Sequence, residues 1–194
     1  MTLNQEILVW INQGWAHPWA DRLFVWVSGR ETFALPLLII LLGLLAWRHR
    51  GDGIRLWMVM MLMMLLGDAA GNLLKHLLGQ YRPCYDFFQS LRPVPGTGWP
   101  CGSKASGMPS NHALNFFAVV SFLAMTTRRR LLVAALAGAA VLAALSRLYL
   151  GKHYPAQVLA GILLGIAWGT AAGWLGRHYL HFVQRVRQGQ AACG

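Results

Sequence analysis

Long apolar runs constrain this chain more than anything else in it. Residues 33–47 are apolar without a break, and further runs cover 56–79, 111–126, 131–149 and 156–176. Crossing a bilayer takes roughly 20 apolar residues of helix, with every backbone N–H and C=O satisfied inside the segment. The runs approach that length and predict transmembrane helices. The chain has 194 residues, 56% of them hydrophobic and 12% charged, too apolar and too charge-poor for an ordinary soluble domain. The expectation is all-α: a polytopic transmembrane bundle of five to six spans in a single membrane-embedded domain over 1–194.

The N-terminal stretch is different. Residues 3–29 are interrupted by Asn4, Gln5, Glu6, Asn12, Gln13, His17, Asp21 and Arg22, and Trp is frequent. That mixture predicts one or two amphipathic helices lying in the membrane interface. A tilted first span from Trp19 onward is the competing reading. No basic start leads into a clean apolar core, so no secretory signal peptide is expected. The segment from Gln80 to Pro109 holds Pro83, Pro93, Pro95, Pro100 and Pro109, which predicts a loop with a short helix in it. The Ala-rich run at 131–149 suits close helix contact. The basic tail from Arg177 to Arg187 predicts a helical extension.

The net charge of +11 would suggest a nucleic-acid partner in a soluble protein. Here much of it lies where membrane topology would place it, so no nucleic acid is expected. If the spans alternate, Arg48, Arg50, Arg55, Arg128, Arg129, Arg130, Arg177, Arg185 and Arg187 share one side, which the positive-inside rule makes cytoplasmic. The 80–109 loop and the 146–155 turn then share the outer face. Cys84 and Cys101 both fall in that outer loop, where either a disulfide or two free thiols is consistent with the sequence. Cys193 is uninformative, and no Cys or His spacing resembles a zinc site.

Three short stretches at the predicted outer face carry chemistry. They are Lys75–Pro83, Met108–His112 and Ser146–Gln157. Cleaving a phosphoester requires neutralised oxygens, an in-line nucleophile and a proton for the leaving oxygen. Lys75, Arg82 and Arg147 supply fixed charge, and arginine suits bidentate contact with phosphate. Ser110 and the backbone around Asn111, where a helix starts, form an anion cradle. His112 and His153 can divide nucleophilic and acid–base work. Taken singly, each residue has an ordinary explanation: a snorkelling lysine at Lys75, a loop residue at Arg82, a helix cap at Ser110, an interfacial anchor at Arg147. Their coincidence on one face argues otherwise. Asp68, an acid inside an apolar span, shares a helix face with Asn72 and Lys75 and is expected to steady that polar stripe, with proton or ion passage as the lesser reading.

These stretches resemble the three signatures of the type 2 phosphatidic acid phosphatase (PAP2) superfamily: KxxxxxxRP at Lys75–Pro83, PSxH at Pro109–His112, and SRxxxxxHxxx(D) at Ser146–Gln157. The resemblance runs from about Asp68 to Gly165. It implies a metal-free, cofactor-free enzyme of a bacterial inner membrane, acting at the outer face on a lipid phosphate or diphosphate. Undecaprenyl pyrophosphate is the first expectation. Lipid A, phosphatidylglycerophosphate or a lipid phosphotransfer are alternatives, and a non-catalytic lipid-phosphate binder is the reading from another class. His153 would be the nucleophile, forming a phosphohistidine, and His112 the general acid and then base. Lys75, Arg82, Ser110, Asn111 and Arg147 would hold phosphate oxygens. Two positions depart from the pattern. Asn111 stands where the family usually has Gly. Gln157 stands where an Asp orients the nucleophile, so it can offer a carbonyl oxygen but no charge. Membrane lipids are the expected surroundings, and the sequence is silent on oligomeric state.

Overall fold

A computed structural model describes the backbone of residues 1–97, 99–101 and 104–192, with the side chains of these except 48–50 and 178–192. Cys193 lies outside the described residues, as do the side chains of Arg48, Arg50, Arg185 and Arg187. All regular elements among the described residues are helical.

The chain opens with two short helices, α1 (Leu3–Gly14) and α2 (Pro18–Ser28). Gln5 Oε1 accepts from Thr2 N at 2.8 Å at the start of α1. At the start of α2, Pro18 takes the first helical position and His17 Nδ1 accepts from Trp19 N at 3.2 Å. Eleven residues make α2 about 16 Å long, half a hydrocarbon core, so it does not span. It packs against the bundle while Trp10, Trp19 and Trp26 stay exposed, the disposition of an interfacial helix. That removes the tilted span from Trp19.

The next helical run, α3 (Leu35–Leu78), folds back on itself. Trp57 Nε1 donates to Leu38 O at 3.3 Å, and Gly53 faces the Leu45 carbonyl. It therefore contributes two antiparallel limbs, Arg30–Trp47 and Gly51–Leu78, each long and apolar enough to cross a membrane. The first limb begins with a π-helical turn over Arg30–Ala34, a few residues before the unbroken apolar run. After the second limb, Gly79 closes the helix in the left-handed region, at φ 58°.

The loop after Gly79 holds a single helical turn, α4 (Pro83–Asp86), and a disulfide between Cys84 and Cys101, 17 residues apart. By limiting the unfolded chain, a bridge of that span stabilises by roughly 3 kcal/mol. The bundle is completed by α5 (Asn111–Thr126), α6 (Arg130–Tyr149) and α7 (Pro155–Ala192). Helix α5 has 16 residues, so among the described residues four helical segments are long and apolar enough to cross a membrane, beside one shorter apolar helix.

Two contacts position the site. Helix α5 runs antiparallel to the second limb of α3, with Leu114 against Gly67 and Asn111 against Gly71. Helix α7 runs parallel to α5: Gly161, Gly165 and Gly169 face the carbonyls of Ser110, Leu114 and Ala118 in turn. A Cβ at Gly161 would come within 2.5 Å of Ser110 O, so a glycine is required for this approach. Small residues at four-residue spacing are a common device for close helix packing in membranes. The sequence pointed to the Ala-rich α6 for this; α6 does bury Ala140, Ala143 and Ala144, but the closest approach belongs to α7. Parallel packing brings the N-termini of α5 and α7 to the same end, where Ser110 N donates to Gln157 O at 3.1 Å.

The apolar core has two centres. One, with Leu8, Phe24, Val94, Leu148 and Tyr149, joins α1, α2 and the loop to the C-terminal end of α6. The other, with Leu41, Met60, Phe122, Leu123 and Leu136, lies among α3, α5 and α6. At the first centre Arg92 ties the loop to the N-terminal helices. Its guanidinium donates to both oxygens of Asp21, at 2.6 and 3.1 Å, and to Tyr149 Oη at 2.9 Å. Asn12 accepts from Arg92 N at 2.7 Å and donates to Tyr149 O at 2.7 Å.

Candidate active site

The helix ends described above gather polar groups at one end of the bundle. Lys75 comes from the last turn of α3, Arg82 from the loop, and Ser110, Asn111 and His112 from the start of α5. Arg147 comes from the last turn of α6, His153 from the turn that follows, and Gln157 from the first turn of α7. All eight residues named from sequence therefore lie at the same end. Arg82 and Arg147 are electrostatic neighbours of both Lys75 and His153, and Arg147 is also a neighbour of His112.

His153 is 2% exposed. Its Nδ1 is 2.8 Å from Gly107 O and 3.3 Å from Gln157 Oε1. A backbone carbonyl can only accept, so Nδ1 carries the proton and Nε2 keeps its lone pair. Burial holds the imidazole well below the ordinary histidine pKa, reinforced by the charges of Arg147 and Arg82. The ring is thus neutral near pH 7, the form in which Nε2 can act as a nucleophile.

Gln157 sits beside it, also 2% exposed. Its Oε1 accepts from Tyr154 N at 3.1 Å as well as facing His153, and its Nε2 donates to Tyr81 O at 2.9 Å. Gln157 thereby joins the His153 turn to the residue preceding Arg82. Arg82 Nε donates to Ser106 O at 3.3 Å, and burial lowers the guanidinium pKa.

Ser110 occupies the N-cap position of α5, yet its hydroxyl caps nothing. Its Oγ, His112 Nε2 and Arg147 Nε are buried without a hydrogen-bond partner among the described residues. Buried polar atoms are rarely left so. The Ser110 hydroxyl, Arg147 Nε and the uncapped N–H groups of α5 are unmet donors of the kind an oxyanion satisfies, whereas His112 Nε2 is the unpaired ring nitrogen of a histidine that bonds the Val27 backbone. Arg147 otherwise donates to Ser28 Oγ of α2.

The polar stripe of Asp68, Asn72 and Lys75 is linked through α5: Asn111 Nδ2 donates to Asn72 Oδ1 at 3.0 Å, and Asp68 is an electrostatic neighbour of Lys75. Asp68 Oδ1 accepts from Asn111 Nδ2 at 3.1 Å and from Asn115 Nδ2 at 2.9 Å, both on α5. Lys75 Nζ donates to Asn72 Oδ1 at 3.4 Å. Asp68 thus fixes the neighbouring helix more than its own, and the Asn111 side chain is turned into this stripe. What Asn111 presents to the cations is its backbone.

A family model described as PAP2 superfamily matches residues 56–180, well over half of the chain. The chain belongs to the PAP2 superfamily. Phosphatidylglycerophosphatase B of Bacillus subtilis is 28% identical over 153 residues, covering 77% of this chain and 71% of that protein. A lipid A 4'-phosphatase of Porphyromonas gingivalis is 23% identical over 189 residues, covering 96% and 73%. The crystal structure of Aquifex aeolicus LpxE superposes with a TM-score of 0.67 at 23% identity, covering 89% of this chain and 95% of that one. The fold is therefore that of a PAP2 membrane protein, and the two relatives above are named as phosphatases.

Three participants were invisible from sequence reasoning. The Gly107 carbonyl is the nearer acceptor for His153, a backbone group with no sequence signal. Asn115 supports Asp68 from one turn beyond Asn111, a spacing that could have been noticed. Lys152, directly before His153, adds a fourth cation. It is an electrostatic neighbour of Arg147 and Arg82, and its signal was a lysine with no acid near it in sequence.

Proposed function

We propose that this PAP2 protein is a phosphatase that removes phosphate from a lipid phosphate or diphosphate through a phosphohistidine at His153. One observation carries the reading: Lys75, Arg82 and Arg147 gather at the end that holds both histidines, and none of the three forms an ion pair with a carboxylate among the described residues, although Asp68 is an electrostatic neighbour of Lys75. Gathering like charges is unfavourable unless a polyanion completes the set. Nε2 of His153 attacks phosphorus as the bond to the leaving oxygen breaks. His112 gives that oxygen its proton and then takes one from the water that cleaves the N–P bond, releasing inorganic phosphate. Lys75, Arg82, Arg147, the Ser110 hydroxyl and the α5 N–H groups hold the non-bridging oxygens. Capture of the phosphoryl group by a lipid alcohol instead of water would make the same site a phosphotransferase.

The named relatives support a lipid phosphate as substrate. Undecaprenyl pyrophosphate is the first to test, then phosphatidylglycerophosphate and lipid A. The site faces the exterior of a bacterial inner membrane in this reading, because Arg55, Arg128–Arg130 and Arg177 lie at the opposite ends of the spans.

The test is phosphate release by purified protein from a panel of these lipids. Wild type should act on at least one, and His153→Ala should lose on the order of 10⁴-fold or more at an unchanged melting temperature. Binding without release from every lipid would instead make the protein a lipid-phosphate binder.

A further inference from the structure

The four cations are not spread evenly, and the asymmetry bears on what departs. Arg82 and Arg147 are central. Lys75 is an electrostatic neighbour of His153, whereas Lys152 is one of His112. Lys152 is held there by its backbone: it follows Gly151, at φ 63°, and its N–H donates to Arg147 O at 2.9 Å. The left-handed turn at Gly151 strongly favours glycine. The side chain is half-buried and makes no hydrogen bond or ion pair among the described residues. Nearby acids are already engaged. Asp86 accepts from Tyr154 Oη at 3.0 Å, and Asp21 is held by Arg92 and Tyr149.

A monophosphate ester brings one anionic group, which Lys75, Arg82 and Arg147 suffice to hold. Its leaving group is a neutral alcohol, needing a proton from His112 and no cation. In a diphosphate the terminal phosphoryl is transferred to His153 and the bond from its phosphorus to the bridging oxygen breaks. The electron pair and the His112 proton go to that oxygen. The leaving group is then a lipid monophosphate, whose charge must be met on the His112 side. We propose that Lys152 binds this second phosphate and makes the site selective for lipid diphosphates over lipid monophosphates. The proposal rests on the phosphatase reading above. Burial, then the Arg147 and Arg82 charges, lower the Lys152 pKa, and an entering anion relieves that repulsion.

A matched pair tests it: farnesyl diphosphate and farnesyl monophosphate in mixed micelles, with the purified full chain as wild type, Lys152→Ala, Lys152→Gln and Lys152→Arg. The Ala and Gln variants should lose about 10- to 100-fold in kcat/KM on the diphosphate and less than about 3-fold on the monophosphate. Lys152→Arg should restore most of the diphosphate rate. Retained monophosphate turnover reports that the variants fold and that the phosphatase reading stands. Equal losses on both substrates at an unchanged melting temperature, or no loss on the diphosphate, would overturn the assignment. Wild type that cleaves only the monophosphate, or neither farnesyl substrate, would overturn it too; the phosphatase reading itself falls only if no lipid of the panel above releases phosphate.

Discussion

Arg92 and Arg147 lie at the same end of the bundle, both reach α2, and the protein treats them in opposite ways. Arg92 is neutralised: both oxygens of Asp21 accept from it, its guanidinium lies 5.5 Å from the Tyr149 ring centre, and Asn12 holds its backbone. Arg147 has a serine hydroxyl, a buried Nε with no partner, and other cations as its charged neighbours. The fold completes the charge it uses as a fastener. The charge it leaves incomplete marks where something else must bind. Both arginines hold α2, one at Asp21 and the other at Ser28, so this helix is tied both to the fastener and to the open charge.

Exchanging each arginine for methionine should break that contrast cleanly. Arg147→Met should cost the largest effect, about 10²- to 10³-fold in phosphate release, as for one lost electrostatic partner of a transition state. Its melting temperature should stay within about 2 °C of wild type or rise, because a repulsive neighbour has gone. Arg92→Met should do the reverse. It leaves the Asp21 carboxylate unpaired and mostly buried, so it should cost about 2 kcal/mol and lower the melting temperature by roughly 5 °C. The rate of the folded fraction should stay within a few-fold of wild type. If both substitutions damage rate and stability alike, the distinction between fastener and open charge fails.

Acid sharpens the comparison by a smaller amount. The hydrogen bond from Arg92, opposed by burial and aided by Tyr149, holds the Asp21 carboxyl below its usual 3.8. A carboxyl with a lowered folded-state pKa binds fewer protons folded than unfolded. Its stabilisation is therefore complete above 3.8 and drains away as pH falls through the lower folded value. Thermal melts should show wild type losing stability in that window, and Asp21→Asn should show a flatter profile.

The sequence disclosed what depends on residue type and order, and concealed what depends on approach. Apolar runs and arginine clusters located the spans and their alternation, since a bilayer punishes any other arrangement. That the eight candidate residues meet at one end was legible because phosphate chemistry calls for cations and imidazoles, and these sat together in three stretches. The reach of Asp68 to Asn115 across helices was not legible. Neither was the Gly107 carbonyl that fixes the His153 tautomer, because a backbone acceptor looks the same at every position. Gln157 illustrates both sides. Its identity suggested a carbonyl aimed at His153, whereas its hold on Tyr81 O depends on a loop conformation that no local pattern encodes. Lys152 was visible as a lysine with no acid near it in sequence, but its place beside Arg82 and Arg147 shows only in three dimensions.

The row of bare Cα positions along α7 has a consequence beyond packing. Gly161 rests on the carbonyl of Ser110 itself, so the seam between α5 and α7 ends at the proposed phosphate cradle. A bulky side chain anywhere along that seam would tilt the cradle without touching a single reacting atom. In a screen for lost function, such lesions would masquerade as chemical defects, and only their retained charge constellation would betray a mechanical origin.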